Sequence, residues 1–232
     1  MEFAAQSNDA IYAEWHSPLL DRLFAPIIDM QLDLYRLTHE HRLEHNGGRH
    51  QGPCTAWPSP PYRAPIWHLL AQETGAKRFL EVGTGIGYTT ALMAEAGGQD
   101  AKVDTIELDS THADITESEL ERKALSGRVS VLRGDARKIV RTLAQPYDVV
   151  FADSGADSDI MPHLRRLTRS GGVSPHIKGL LRVPLIELLA ELRATLERGT
   201  QDESLVIDRA RDRYRQIVKT ALETTWNQQA QS

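Results

Sequence analysis

The chain has 232 residues, 41% of them hydrophobic, with a net charge of -5 and a mean hydropathy of -0.40. That length suits one generous domain with a sizeable core, no window approaches the roughly 20 apolar residues of a membrane span, and the acidic balance gives no global attraction for phosphate backbones. A single cysteine, Cys54, fits a reducing compartment, and the N-terminal MEFAAQSNDA lacks the basic and apolar regions of a secretory signal, so a cytoplasmic protein is expected.

Between Ser17 and Glu44, apolar residues at three- and four-residue spacings (Leu19, Leu20, Leu23, Ile27, Ile28, Leu32, Tyr35) predict helices interrupted near Pro26. His41 and His45 stand four apart there, a zinc-compatible spacing. The full H-E-x-x-H pattern is missing, so the stretch reads as an exposed polar helix end. From His45 to Pro61, glycine and proline are dense enough to predict a long lid or binding loop. Trp57 and Tyr62 of this region could stack on a ring or simply pack. Pro65 then opens a helix that ends at Gly75.

From Lys77 the pattern alternates. Strand RFLEV precedes a helix from Tyr88 to Ala96, KVDTIEL a helix from Thr111 to Leu125, VSVLR a helix from Ala136 to Leu143, and YDVVFAD a helix from Ser158 to Thr168. Short strands alternating with such helices predict an α/β fold, a Rossmann-like, doubly wound, mostly parallel sheet with helices on both faces and an N-terminal helical cap. Ligands of such sheets sit beyond the carboxyl ends of the strands, where strand order reverses. After Pro184 the chain reads as an amphipathic helix, Leu205-Val206-Ile207 as a short strand, and RDRYRQIVKTALETTW as helix again. One domain spanning 1–232 is expected, with residues 1–74 as N-terminal helices and loop, 75–178 as a cofactor-binding core, and 179–232 as a divergent helical end.

The first strand runs into Glu81-Val82-Gly83-Thr84-Gly85-Ile86-Gly87-Tyr88-Thr89-Thr90. Glycines at every second position let a backbone approach a nucleoside cofactor. The dinucleotide fingerprint G-x-G-x-x-G does not fit, because Gly87 comes one residue early, and no Gly-Lys-Ser/Thr marks a Walker loop. Glu107 and Leu108 close the second strand, where a carboxylate can accept hydrogen bonds from ribose hydroxyls. Gly134, Asp135 and Ala136 close the third, with Asp135 also suited to capping the next helix. Asp153 closes the fourth. Asp153, Asp157 and Asp159 do not form a calcium loop, since Ser158 and Leu164 occupy its essential Gly and Glu positions.

The pattern E-x-G-x-G-x-G resembles motif I of class I S-adenosylmethionine-dependent methyltransferases. Together, LEVGTGIGYTT, TIELD, RGDA and YDVVFAD, between about Ala64 and Val173, are similar to the catechol and caffeoyl-coenzyme A O-methyltransferase group. The resemblance implies S-adenosylmethionine as cofactor, a small phenolic or hydroxylated methyl acceptor and a homodimer. It implies cofactor contacts from Glu81, Gly83, Thr84, Gly85, Gly87, Tyr88, Thr89, Glu107, Leu108, Gly134, Asp135, Ala136 and Asp153. Thr89 or Thr90 would meet the methionyl carboxylate, unless Thr89 merely caps its helix.

The chemical half departs from that group. Its members hold a divalent cation with one Asp after the fourth strand and an Asp-Asn pair after the fifth, and a lysine follows the first ligand. Here Asp153 matches, but Ala156 stands for the lysine, and Ile177 and Lys178 stand for the Asp-Asn pair. No metal ligands of that kind are therefore expected. Asp153 and His176 are the catalytic candidates, with His163 as another proton acceptor and Lys178 as a substitute positive charge. A protein that binds cofactor without turnover is the alternative. So is tRNA modification, prompted by Arg122, Lys123, Arg128, Arg133, Arg137, Lys138 and Arg141, although the overall acidity argues against nucleic acid.

Overall fold

The computed structural model describes residues 23–24, 31–44, 54, 56, 57, 59, 64–153, 159–173 and 177–230. Helices α1 (Leu32–Glu44) and α2 (Ala64–Thr74) precede β1 (Arg78–Val82), α3 (Tyr88–Ala96), β2 (Lys102–Glu107), α4 (Ser110–Arg122) and β3 (Val129–Arg133). There follow α5 (Ala136–Thr142), β4 (Tyr147–Ala152), α6 (Met161–Leu167), β5 (Thr168–Val173), α7 (Ile177–Arg198) and α8 (Glu203–Ala230). Pro26, the segment from His45 to Pro53, and Tyr62 lie outside the described residues.

All strand pairs are parallel, in the order β3-β2-β1-β4-β5. The chain winds outward from β1 to β3, then restarts on the other side at β4, so the order reverses between β1 and β4. Alternate side chains of the strands feed two cores. Phe79, Val103, Val149 and Phe151 join the larger one with α2, α3, α7 and α8. Leu80, Val82, Ile106, Val150 and Ala152 face the other, packed by Val140 of α5 and Leu164 of α6. This is the Rossmann-like, doubly wound arrangement that the alternation predicts.

Caps fix the helix starts. Asp109 accepts the N–H groups of Thr111 and His112 at 2.8 and 3.3 Å to open α4, and Asp135 accepts that of Arg137 at 2.9 Å to open α5. The capping role read for Asp135 is therefore real.

The C-terminal part differs from the sequence reading at three places. The fifth strand is Thr168–Val173, where the sequence reading placed no strand, and Ile177 and Lys178 open α7. Among the described residues strand β5 pairs with β4 alone, and Arg169, Ser170 and Gly171 are exposed, so it needs no apolar run. Pro184 lies within α7 instead of at its start. Leu205-Val206-Ile207 is helical: Val206, Ala210, Tyr214, Val218 and Leu222 repeat with the helical period and bury one face of α8. Leu181, Leu185, Leu188 and Leu192 do the same for α7. The two helices form an antiparallel hairpin turned at Gly199, and α8 also packs on α2 and β5. Among the described residues the sheet has five strands, and this hairpin stands beside its β5 edge.

Candidate cofactor and acceptor site

The carboxyl ends of four strands are laced together by backbone hydrogen bonds. Gly83 N–H donates to the Ile106 carbonyl at 3.0 Å, Gly134 N–H to that of Glu107 at 2.8 Å, and Asp153 N–H to that of Val82 at 2.9 Å. Beyond them opens a cavity of about 470 Å³. Its walls include Gly83, Thr84, Gly85, Tyr88, Thr89, Glu107, Leu108, Gly134, Asp135, Ala136 and Asp153.

The glycine loop turns on three left-handed positions, of which Gly83 has φ 93°. Gly85 has φ 58° and Gly87 φ 90°, both in the region where a Cβ is costly. A Cβ on Gly87 would also come 3.0 Å from the Thr116 methyl, whereas one on Gly85 would meet only Ala56 at 3.7 Å. Gly87 is the N-cap of α3 and supplies no side chain to it. The first-turn N–H groups of α3 thus lie beside the loop without a side-chain cap.

Glu107 is nearly buried and uses both oxygens. Oε2 accepts the Gly85 N–H at 2.8 Å and Oε1 the Asp109 N–H at 2.9 Å. Each oxygen keeps further acceptor capacity toward the cavity. Leu108, beside it, is 75% exposed and offers the cavity an apolar surface. Asp135 also pairs through both oxygens with the Arg137 guanidinium, which holds its carboxyl below the usual range.

Glu81 and Gly87 are not among the residues lining the cavity. Glu81 is fully buried. Its Oε2 accepts hydrogen bonds from the hydroxyls of Thr90 and Thr105, and the Thr105 hydroxyl is 2.6 Å from that of Thr84. Burial, reinforced by the charges of Asp153 and Glu107, pushes the Glu81 carboxyl up to about 8. Glu81 thus anchors an internal hydroxyl network that reaches the loop through Thr84. Of the two threonines, Thr89 lines the cavity while Thr90 serves Glu81, and neither caps α3.

Tyr88 lines the cavity with its ring edge-on to Tyr35, centroids 5.4 Å apart. Burial raises its phenol far above the ordinary value, so it does not ionise. Thr38, Trp57, Ser59, Ile86, His112 and Arg137 also line the cavity and were not assigned to cofactor contact by sequence. Trp57 is the loop aromatic foreseen for ring stacking; in the structure the Arg42 guanidinium lies over it, 3.0 Å from the ring centroid. His112 had a local signal. It follows the Asp109 cap by three residues, which turns it toward the end of β2.

On the chemical side, among the described catalytic candidates Asp153 lines the cavity, and His163 sits half-buried on α6 away from it. His176, Ala156 and Asp157 lie outside the described residues. No cluster of three or more metal-ligating groups forms around Asp153 among the described residues. Strand β5 ends in Gly172-Val173, and α7 opens with Ile177-Lys178, so the oxygen ligands that magnesium prefers are not supplied there. The described residues do not fit the divalent-cation site that the resemblance implies.

His41 is not part of an exposed polar end. It is half-buried, its ring meets that of His112 edge-on at 5.1 Å, and His45 lies outside the described residues. The basic stretch is also largely neutralised. Arg122 and Lys123 pair with Asp33, Arg128 with Glu95, Arg133 with Asp114 and Glu117, and Arg137 with Asp135. No helix of the described residues is long and apolar enough to cross a membrane.

Residues 55–175, just over half of the chain, match the O-methyltransferase family, and the chain belongs to it. It is 35% identical over 108 residues to a catechol O-methyltransferase of Mycobacterium tuberculosis, covering 45% of this chain and 49% of that protein. It is 32% identical over 117 residues to a catechol O-methyltransferase of Niastella koreensis, covering 48% and 53%. The chain thus spans about half the length of the curated relatives it matches. Among solved structures it is similar to the O-methyltransferase TomG of Streptomyces achromogenes, involved in tomaymycin synthesis and solved with S-adenosylmethionine, with a TM-score of 0.50, 27% identity, and coverage of 63% of this chain and 69% of that one.

Proposed function

We propose that the protein is an S-adenosylmethionine-dependent O-methyltransferase acting on a small hydroxylated or phenolic molecule. The observation that carries this reading is the pairing of the glycine loop with Glu107 at the mouth of one cavity. Each Glu107 oxygen spends one lone pair on a backbone N–H, and the remaining capacity suits two neighbouring ribose hydroxyls. Leu108 offers an apolar face for a base, with Gly134 and Ala136 leaving room beside it. Thr89 and the uncapped N-terminus of α3 suit the methionyl carboxylate.

When bound, the cofactor supplies an electrophilic methyl group on a positively charged sulfur. The chain's own part is to align the acceptor oxygen and take its proton. Asp153 stands on the cavity wall at the end of β4, where it orients an acceptor hydroxyl, and His176 is the candidate that removes the proton. Trp57, Thr38 and Ser59 form the part of the wall nearest α1, suited to an aromatic acceptor. A cytoplasmic homodimer and a cation-independent reaction belong to the same reading.

The test is calorimetric titration of S-adenosylhomocysteine into wild type and Glu107→Ala, with magnesium and with chelator, followed by methyl transfer to a panel of phenols. Saturable binding lost in the variant and indifferent to magnesium supports the reading. Absence of binding by the wild type rejects it.

A further inference from the structure

His41 of α1, Cys54 and His112 of α4 are brought together by the fold although they are far apart in sequence. One nitrogen of each histidine and the sulfur of Cys54 all lie within 4.8 Å of one another. Cys54 and His112 are buried and His41 is half-buried. We propose that this cluster is a binding site for a zinc-type divalent cation, held by one thiolate and two imidazoles, which clamps α1 and the Cys54 segment onto α4.

Three observations carry the assignment. The Cys54 Sγ to His112 Nε2 distance is 3.7 Å. A tetrahedral zinc with Zn–S about 2.3 Å and Zn–N about 2.0 Å spaces such ligands by roughly 3.6 Å. That edge of the polyhedron is therefore already at coordination length. The two imidazole rings stand at 78° to each other, so they converge edge-on instead of stacking.

His112 presents its other nitrogen to a carboxylate. Nδ1 lies 3.7 Å from Glu107 Oε1, while Nε2 faces the sulfur. This is the order in which a metal-bound histidine is oriented by an acid behind it, with the proton on the far nitrogen and the lone pair toward the cation. The gap exceeds hydrogen-bond length by about half an ångström, which metal binding would close by drawing the ring toward the carboxylate.

The donor set also selects the ion. Thiolate and imidazole favour zinc or cobalt over magnesium, which takes oxygen ligands. On binding, the Cys54 S–H bond breaks, the sulfur's electron pair goes to the cation, and the proton is released to solvent. Water fills the fourth position. The net +1 of cation and thiolate then faces the negative charge of Glu107.

The site would add a link near Cys54 between helices α1 and α4, which already meet through the ion pairs of Asp33 with Arg122 and Lys123. Thr38 of α1, together with Trp57 and Ser59 just after Cys54, lines the cavity described above, so the clamp would brace one wall of it. The proposal concerns metal binding and does not depend on methyl transfer.

The experiment is titration of the chelator-stripped full-length protein with cobalt(II), followed by absorption, and with zinc(II), followed by calorimetry and thermal melting. One equivalent of cobalt should produce a thiolate-to-cobalt charge-transfer band that zinc displaces. Cys54→Ser should lose the band, and Cys54→Ser and His112→Gln should each bind zinc at least ~10-fold more weakly. In chelator both variants should melt as the wild type does, and zinc should raise the melting temperature of the wild type alone. A wild type without the band overturns the proposal, as does a Cys54→Ser variant that keeps both the zinc affinity and the zinc-dependent melting shift. If Cys54→Ser does not fold, His41→Gln makes the same comparison, and unchanged zinc affinity in that variant overturns the site.

Discussion

Glu107 holds the backbone N–H of Gly85 at 2.8 Å, tying the end of β2 to the glycine loop that follows β1. Under the proposed function the same carboxylate would receive the ribose, and loop shape and ligand recognition would then share one side chain. Glu107→Ala is expected to weaken S-adenosylhomocysteine by ~100-fold, since hydrogen bonds to a charged group contribute about 1.5–3 kcal/mol each. Calorimetry measures this directly. Affinity at the wild-type level in the variant would remove Glu107 from the site.

Glu81 makes the fold sensitive to pH. Its carboxyl ordinarily titrates near 4.5 and is pushed up to about 8 in the folded chain, chiefly by burial. Between those values the unfolded chain has lost the proton that the folded chain keeps, so stability falls as pH rises through the window and levels off above it. Below 4.5 both states are protonated and no penalty exists. Glu81→Gln keeps an oxygen for Thr90 and Thr105 and cannot ionise. Urea midpoints at about pH 5 and about pH 9 should differ markedly less in this variant than in wild type, with the variant the more stable at the higher pH.

Gly85 and Gly87 should not be equivalent. Alanine at either Gly85 or Gly87 adopts a left-handed backbone, at about 1–2 kcal/mol. At Gly87 it also presses on the Thr116 methyl at 3.0 Å. Gly87→Ala is therefore expected to lower thermal stability more than Gly85→Ala, and Thr116→Ser, which deletes that methyl, should recover part of the difference.

Tyr214 tests the C-terminal hairpin. It is fully buried and stands edge-on to Phe24 with ring centroids 4.8 Å apart. Tyr214→Ala should cost about 3–5 kcal/mol by analogy with other large aromatic truncations, read from denaturant unfolding. A loss below about 1 kcal/mol would mean that α8 contributes little to the core.

The parts legible in sequence were those governed by local rules. Strands β1 to β4 are short apolar runs between turns, and Glu107, Asp135 and Asp153 announce themselves by ending them. Strand β5 did not, because an edge strand reading Thr-Arg-Ser-Gly-Gly-Val has almost no burial to advertise. Leu205-Val206-Ile207 misled through its local β-propensity, which the helical period of Val206, Ala210 and Tyr214 overrides. Glu81 and Thr90 met through packing across β1 and α3, and the meeting of His41, Cys54 and His112 needed the whole fold. No spacing rule reports contacts of that kind.

The hairpin of α7 and α8 has a consequence for how the chain is divided. The segment shared with the family ends at residue 175, yet Leu185, Leu188, Tyr214 and Val218 belong to the same core as Phe79 and Phe151. The matched segment therefore stops short of the core to which it contributes. A fragment trimmed at that boundary would lose the helices that bury Tyr214 and Val218 against α2 and β5, and the core would open to water on that side alone.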